Sequence, residues 1–336
     1  MSKPFLKYIE WFRGLSILLI VLSHLRSSAL SDTYYYVLQN ATVYFLFISG
    51  FLFHYLYKPG ESVPSFYIKK LKRLVLPYLV ASLVGFTIWS VQTRTIPGAV
   101  LIVRSLLTGT GNVNVGHWFI PAMLLIFSTY PVLRALCVRR KLLSVLAAAG
   151  LLVTVATFRS RGNANPFLNA LHFYGVFLFG MTTSAWWDSW SRFLERHFWP
   201  VVISGTLAFT ALMWLVPSSS VLNMETVIGS GSWTPDWSTA ARLVMILPLL
   251  AVLMRLGKRG HDLAFLSTVG RMSFGIFFYH GFLIYFLNSD WVNRFLPQNS
   301  LPVLALNAAI VFAILWAFLS LAKKLLGKNS VYLFGY

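Results

Sequence analysis

Two ionisable residues, Arg13 and His24, stand eleven positions apart in the first apolar stretch of the chain. On an α-helix that offset is a rise of roughly 16 Å, with a rotation that returns both side chains to one face within about 20°. Ionisable groups at membrane depth are costly, and a pair on one face marks a route for a polar reactant. A guanidinium binds anions through charge-assisted hydrogen bonds. An imidazole exchanges protons near neutral pH, or attacks an electrophilic carbonyl itself. Together they mark a candidate functional site in which a guanidinium near one membrane surface and an imidazole deep in the bilayer line one path.

Other polar residues are expected to support that pair. Glu10 precedes Arg13 by three positions, one helical turn, and is expected to pair with it and orient the guanidinium. Ser49 and Gly50 either line the reaction chamber or let two helices approach closely. His117, beside Trp118, and His280, beside Tyr279, fall in the middle or outer half of the predicted spans and are further polar candidates. His24, His117, His172 and His280 have no ligand-like spacing, and no cysteine or acidic cluster accompanies them, so no metal is expected.

The elements that must hold these residues follow from composition. With 57% hydrophobic and 11% charged residues in 336 positions, and apolar runs near twenty residues recurring, the chain is expected to be an all-α polytopic membrane protein. Ten spans are predicted, near Phe12–Leu30, Val37–Tyr57, Leu71–Val91, His117–Leu136 and Leu142–Phe158, then Phe167–Trp186, Trp199–Val216, Ala240–Met254, Thr268–Asn288 and Leu301–Leu325. No internal repeat or long linker divides them, so one domain over residues 1–336 is expected.

The net charge of +19 would suggest nucleic acid in a soluble protein, so its distribution decides. Threaded through ten spans, 21 of the 28 Lys and Arg fall on the side of the termini and 7 on the other. By the positive-inside rule both termini are cytoplasmic and the basicity is a topology signal, with no nucleic acid among the partners. All Trp except Trp316 lie near predicted span ends or in loops, as in aromatic belts. The lone Cys137 excludes an intrachain disulfide. Ser27-Ser28-Ala29 after a short apolar run resembles a signal-peptidase site, but Arg13, Ser23 and His24 interrupt the run, so no cleavage is expected. Ile96–Leu107 is too short to span and is expected to lie along the outer interface or to re-enter. In the loop Pro217–Ser238, Glu225, Trp233, Asp236 and Trp237 suit either a sugar surface or an ordinary interfacial loop.

The segment Glu10-Trp-Phe-Arg13-Gly14 through Ser23-His24 resembles the opening of the acyltransferase 3 family of integral membrane acyltransferases. The likeness continues through Tyr44-Phe-Leu-Phe-Ile-Ser49-Gly50-Phe51, the basic cluster Lys69-Lys70-Leu-Lys72-Arg73 before Pro77, Trp118-Phe119, Phe179-Gly180-Met181 and Ser273 to His280. The resemblance implies a ten-helix membrane bundle that moves an acyl group, usually acetyl from acetyl-CoA, onto a hydroxyl of a glycan or glycolipid. It also implies a bacterial inner membrane, with membrane lipids and a surface or lipid-linked polysaccharide as partners. His24 would act as general base on the acceptor hydroxyl or as transient acyl carrier, Arg13, Lys70 and Arg73 would hold the phosphates of the donor, and His117, Trp118, Tyr279 and His280 would lie on the acceptor side. Many relatives carry two arginines three apart where this chain has Lys70 and Arg73. A lysine keeps the charge and loses the bidentate fork. Succinyl or another acyl group, a small-molecule acceptor, and a glycan transporter that makes no bond are the alternatives; paired Gly/Pro-broken spans in corresponding halves, which would favour a transporter, are not found.

The charge asymmetry is checked by topology. Reporter fusions at Lys328 and within Pro217–Ser238 should give opposite sidedness, and same-side signals would overturn the ten-span threading.

Overall fold

The computed structural model describes residues 6–25, 38–111, 114–216, 223–231, 233–289, 292 and 301–336. Among these every regular element is a helix. In chain order they are α1 Lys7–His24, α2 Thr42–Tyr55, α3 Val63–Thr93, α4 Ala99–Thr108 and α5 Phe119–Ser128. There follow α6 Tyr130–Cys137, α7 Arg140–Ala156, α8 Pro166–Ala185, α9 Trp187–Arg196 and α10 Phe198–Trp214. The last are α11 Met224–Ser230, α12 Trp237–Lys258, α13 Ala264–Leu287, α14 Leu301–Leu326 and α15 Ser330–Phe334.

Each predicted span carries a helix, and the protein is a helical membrane protein. Three helices among the described residues are long and apolar enough to cross a bilayer: α3, α12 and the run Pro302–Phe334. Two bent pairs, α5 with α6 at 63° and α9 with α10 at 90°, raise that number to five if each pair is one span. Ten crossings are therefore not established by length and composition.

Several boundaries differ from expectation for physical reasons. α1 begins five residues before the predicted span, and the proposed cleavage site Ser27-Ser28-Ala29 lies outside the described residues. α3 begins eight residues early because Ser62 caps it, accepting from the Ser65 N–H at 3.3 Å. Inside α3, Leu71–Val75 winds as a π-helix, with the Leu76 N–H donating to Leu71 O five residues back. Pro77 explains it: proline has no N–H and its ring crowds the carbonyl four residues before, that of Arg73, so the wider turn relieves the clash. The segment expected at the interface is α4, largely exposed, and the Tyr78 hydroxyl ties it down by donating to Leu106 O at 2.9 Å. Trp11 and Trp118 depart from the aromatic-belt reading, since both are buried in the core.

Glycines set the helix spacing. The most extensive helix contacts are α2 with α8, α7 with α8, α1 with α13 and α10 with α12. In the first three a glycine of each helix meets the backbone of the other: Gly50 with Phe177 and Gly180 with Phe47, Gly150 with Gly175, and Gly14 with Leu266 beside Gly270. In the fourth, Gly205 faces the ring of Pro248. Without a hydrophobic drive between helices in lipid, such close backbone approach supplies the van der Waals energy that holds them. Ser49-Gly50 thus divides: Gly50 makes a crossing, while the Ser49 hydroxyl donates to Phe45 O of its own helix at 2.8 Å.

The chain ends in a hook. Gly327, with φ +55°, turns the backbone so that α15 folds back along α14, its Phe334 ring 5.2 Å from Phe318.

A valine at position 50 would drive its Cβ into the Phe177 backbone. Gly50→Val should cost about 1–3 kcal/mol or more, lowering the melting temperature in detergent, while Gly229→Ala, with open space around it, should melt near wild type. An unshifted Gly50→Val melt would refute the α2–α8 crossing.

Candidate active site

His24 is the last residue of α1, and the parallel neighbour α13 brings His280 to it. His24 Nδ1 lies 3.0 Å from His280 Nε2, with the rings stacked at 5.2 Å and 19°. The other His280 nitrogen settles the protons. His280 Nδ1 sits 2.9 Å from Phe277 O and 3.1 Å from Ile276 O, and carbonyls only accept, so Nδ1 carries the hydrogen. In a neutral ring His280 Nε2 is then an acceptor, and the hydrogen between the rings belongs to His24 Nδ1. The lone pair of His24 is therefore on Nε2. A chain from backbone carbonyl through His280 fixes which nitrogen of His24 can take a proton or attack a carbonyl.

The turn before α5 closes over His280. Gly116 is pressed against the ring: a Cβ there would stand 3.0 Å from His280 Cε1. Asn114, absent from the sequence-based expectations, anchors this turn. Its Nδ2 donates to Phe278 O at 2.5 Å and lies 2.9 Å from His117 Nε2, while its Oδ1 accepts from the Gly116 N–H. His117 is fully buried, with Tyr78 edge-on at 5.3 Å. The available signal was the spacing Asn114-x-x-His117, which puts an amide and an imidazole one turn apart.

Three turns before His24 on α1, the Arg13 guanidinium lies 5.0 Å from the centroid of Phe274 and makes no hydrogen bond or ion pair among the described residues. Phe274 stacks on Phe278 at 6.4 Å, and Phe277 stands 5.9 Å from His280. Aromatic rings of α13 thus line the interval between the guanidinium and the imidazoles. α1 is continuous over this interval, so the rise of roughly 16 Å between Arg13 and His24 stands.

Glu10 interacts electrostatically with Arg13, as expected, and its direct ion pair is with a second arginine: Glu10 Oε1 meets Arg271 NH1 at 3.0 Å, and Arg271 NH2 donates to Thr268 at 3.2 Å. The α1–α13 approach brings Arg271 alongside, a partner no local spacing could indicate. Lys70 and Arg73 sit on α3, and Arg13 on α1, as the span map expects. Lys70 Nζ is 3.8 Å from the Phe127 centroid, and Arg73 is exposed in the π segment. The expected donor cations are spread over two helices.

Of the expected acceptor-side residues, His117 and His280 come together and the aromatic neighbours do not. Trp118 turns to α8, stacked on Phe173 at 5.9 Å with Arg159 5.4 Å from its centroid. Tyr279 points into the hook, its hydroxyl 3.4 Å from Leu333 O. One residue along a helix is about 100° of rotation, which suffices to separate Tyr279 from His280. His172 is elsewhere, 3.7 Å from Asp236 and 3.4 Å from Thr239. Asp236 and Glu225 have structural tasks: Asp236 caps α12 at the Thr239 N–H, and Glu225 accepts from the Arg161 N–H at 2.7 Å. Among the described residues no three of His, Cys, Asp and Glu gather as a metal-binding group.

The family model of an acyltransferase domain, acyltransferase 3, matches residues 6–322. No curated protein and no solved structure matches the chain.

Proposed function

The chain belongs to the acyltransferase 3 family, and from that premise we propose that it takes acetyl from cytosolic acetyl-CoA and delivers it to a hydroxyl of a surface or lipid-linked polysaccharide sugar. The observation that carries this reading is the His24–His280 hydrogen bond with the carbonyl-bound Nδ1 behind it. It leaves a lone pair on His24 Nε2.

In this reading Nε2 takes the proton of the acceptor hydroxyl as its oxygen attacks the thioester carbonyl. The carbon–sulfur bond breaks, and the proton passes from Nε2 to the departing thiolate, giving ester and CoA thiol. While His24 holds that proton, its Nδ1–H remains bonded to His280, which spreads the positive charge. The donor's phosphates meet Arg13, whose guanidinium hydrogens make no hydrogen bond among the described residues, with Lys70 and Arg73 adding attraction from α3. The pantetheine arm follows the aromatic wall of Phe274, Phe278 and Phe277. Glu10, itself held by Arg271, supports the Arg13 guanidinium one turn away. Ten crossings of the inner membrane with both termini cytoplasmic, supported by the 21 to 7 charge asymmetry, bring Arg13 to the side where acetyl-CoA arises.

His24→Gln keeps a hydrogen-bonding side chain without a basic nitrogen, so acyl incorporation into glycan should fall by about 10²-fold or more, with the melting curve near wild type. His280→Phe should lower kcat while sparing the KM for donor, since it removes the group that sets the tautomer. Substantial turnover by His24→Gln would reject the catalytic assignment.

Arg13→Ala should weaken donor binding by roughly tenfold or more, the scale of one charge-assisted hydrogen bond. Calorimetry with CoA measures it, and unchanged affinity would remove Arg13 from the donor site.

A further inference from the structure

A second cationic site lies apart from the His24–His280 pair, where acyl transfer makes no use of it. α9 meets α10 at 90° and is amphipathic, with Leu194 buried and Arg192, Glu195 and Arg196 exposed, the pattern of a helix lying in the membrane interface. In the corner between α9, α10 and α12 is a cavity of about 300 Å³ with apolar walls from Leu194, Phe198, Ala251 and Met254. Three cations of α12 and the turn after it, Arg255, Lys258 and Arg259, line its rim.

Their charges are unequally compensated. Lys258 Nζ is bound to Glu195 at 2.6 Å. Arg255 is half-buried, its guanidinium 4.1 Å from the Phe198 centroid and 5.6 Å from that of Trp199. Neither Arg255 nor Arg259 makes a side-chain hydrogen bond or ion pair among the described residues. Two aromatic faces hold the Arg255 fork while its donors stay available, and guanidinium geometry matches phosphate oxygens.

The surroundings specify what carries the phosphate. α10, which leads away from the corner, has no buried residue and exposes Ile203, Leu207 and Trp214. That surface suits hydrocarbon rather than a nucleotide. The corner is also on another side of α12 from Gly257, which packs on Trp11 of α1. We infer that the corner of α9, α10 and α12 binds the phosphate of an anionic phospholipid, with Arg255 and Arg259 on the headgroup and the acyl chains along α10.

This rests on the membrane reading of the chain and not on acyl transfer, so either can fail alone. The test is native mass spectrometry of the full chain in neutral detergent, titrated with phosphatidylglycerol or phosphatidylcholine. One phosphatidylglycerol should be retained in preference to phosphatidylcholine. Arg255→Gln with Arg259→Gln should weaken that retention roughly tenfold or more, and Lys141→Gln, another exposed cation, should leave it unchanged. Should the double variant melt early, Arg259→Gln alone, at an exposed position, must still weaken retention. Equal retention of the two lipids, or an unaffected double variant, overturns the inference. So does displacement of phosphatidylglycerol by millimolar inorganic phosphate or CoA, which would assign the corner to a soluble phosphate.

Discussion

The close crossing of α1 and α13 governs the rest of this structure. Gly14 and Gly270 have no side chains to hold the backbones apart, and the two helices run parallel from that point. His24 and His280 each lie ten residues beyond their glycine, so equal rise of about 15 Å delivers both imidazoles to one level. The same register sets Glu10 against Arg271 and Arg13 against Phe274. A site that needs two rings at 3.0 Å can be built from residues 256 positions apart because the crossing leaves no freedom to slide.

Polar groups in this bundle are disposed by that economy of space. His280 uses one nitrogen on carbonyls of its own helix and the other on His24, and Asn114 spends its amide hydrogens on Phe278 O and toward His117. Each bond made in a dry interior is one that would be expensive to leave unmade. Arg13 departs from this pattern, since its charge rests on a ring face rather than on an acceptor.

Much of this was legible in the sequence because it is local. The Arg13 to His24 spacing, the helical nature of every predicted span, and the small residue at Gly50 depend on periodicity and composition along one helix. What was not legible depends on pairs far apart in the chain. Glu10 had an arginine one turn away and took another from α13, and Trp118 and His117, adjacent in sequence, face different helices. The π segment before Pro77 is a third case, where a proline signalled the disturbance but not that the helix would absorb it and continue. The ten-span count rested on hydropathy and charge, and among the described residues length with apolarity carries it only to five.

The reach from residue 24 to residue 280 also has a meaning in time. At about 5–20 residues per second of synthesis, roughly 13–50 s pass between the emergence of the two histidines. Through that interval a nascent chain already displays His24 without the ring that sets its protons and without the aromatic wall of α13. A half-made copy holds neither feature, so competence arrives late and all at once, when the last quarter of the chain has entered the bundle.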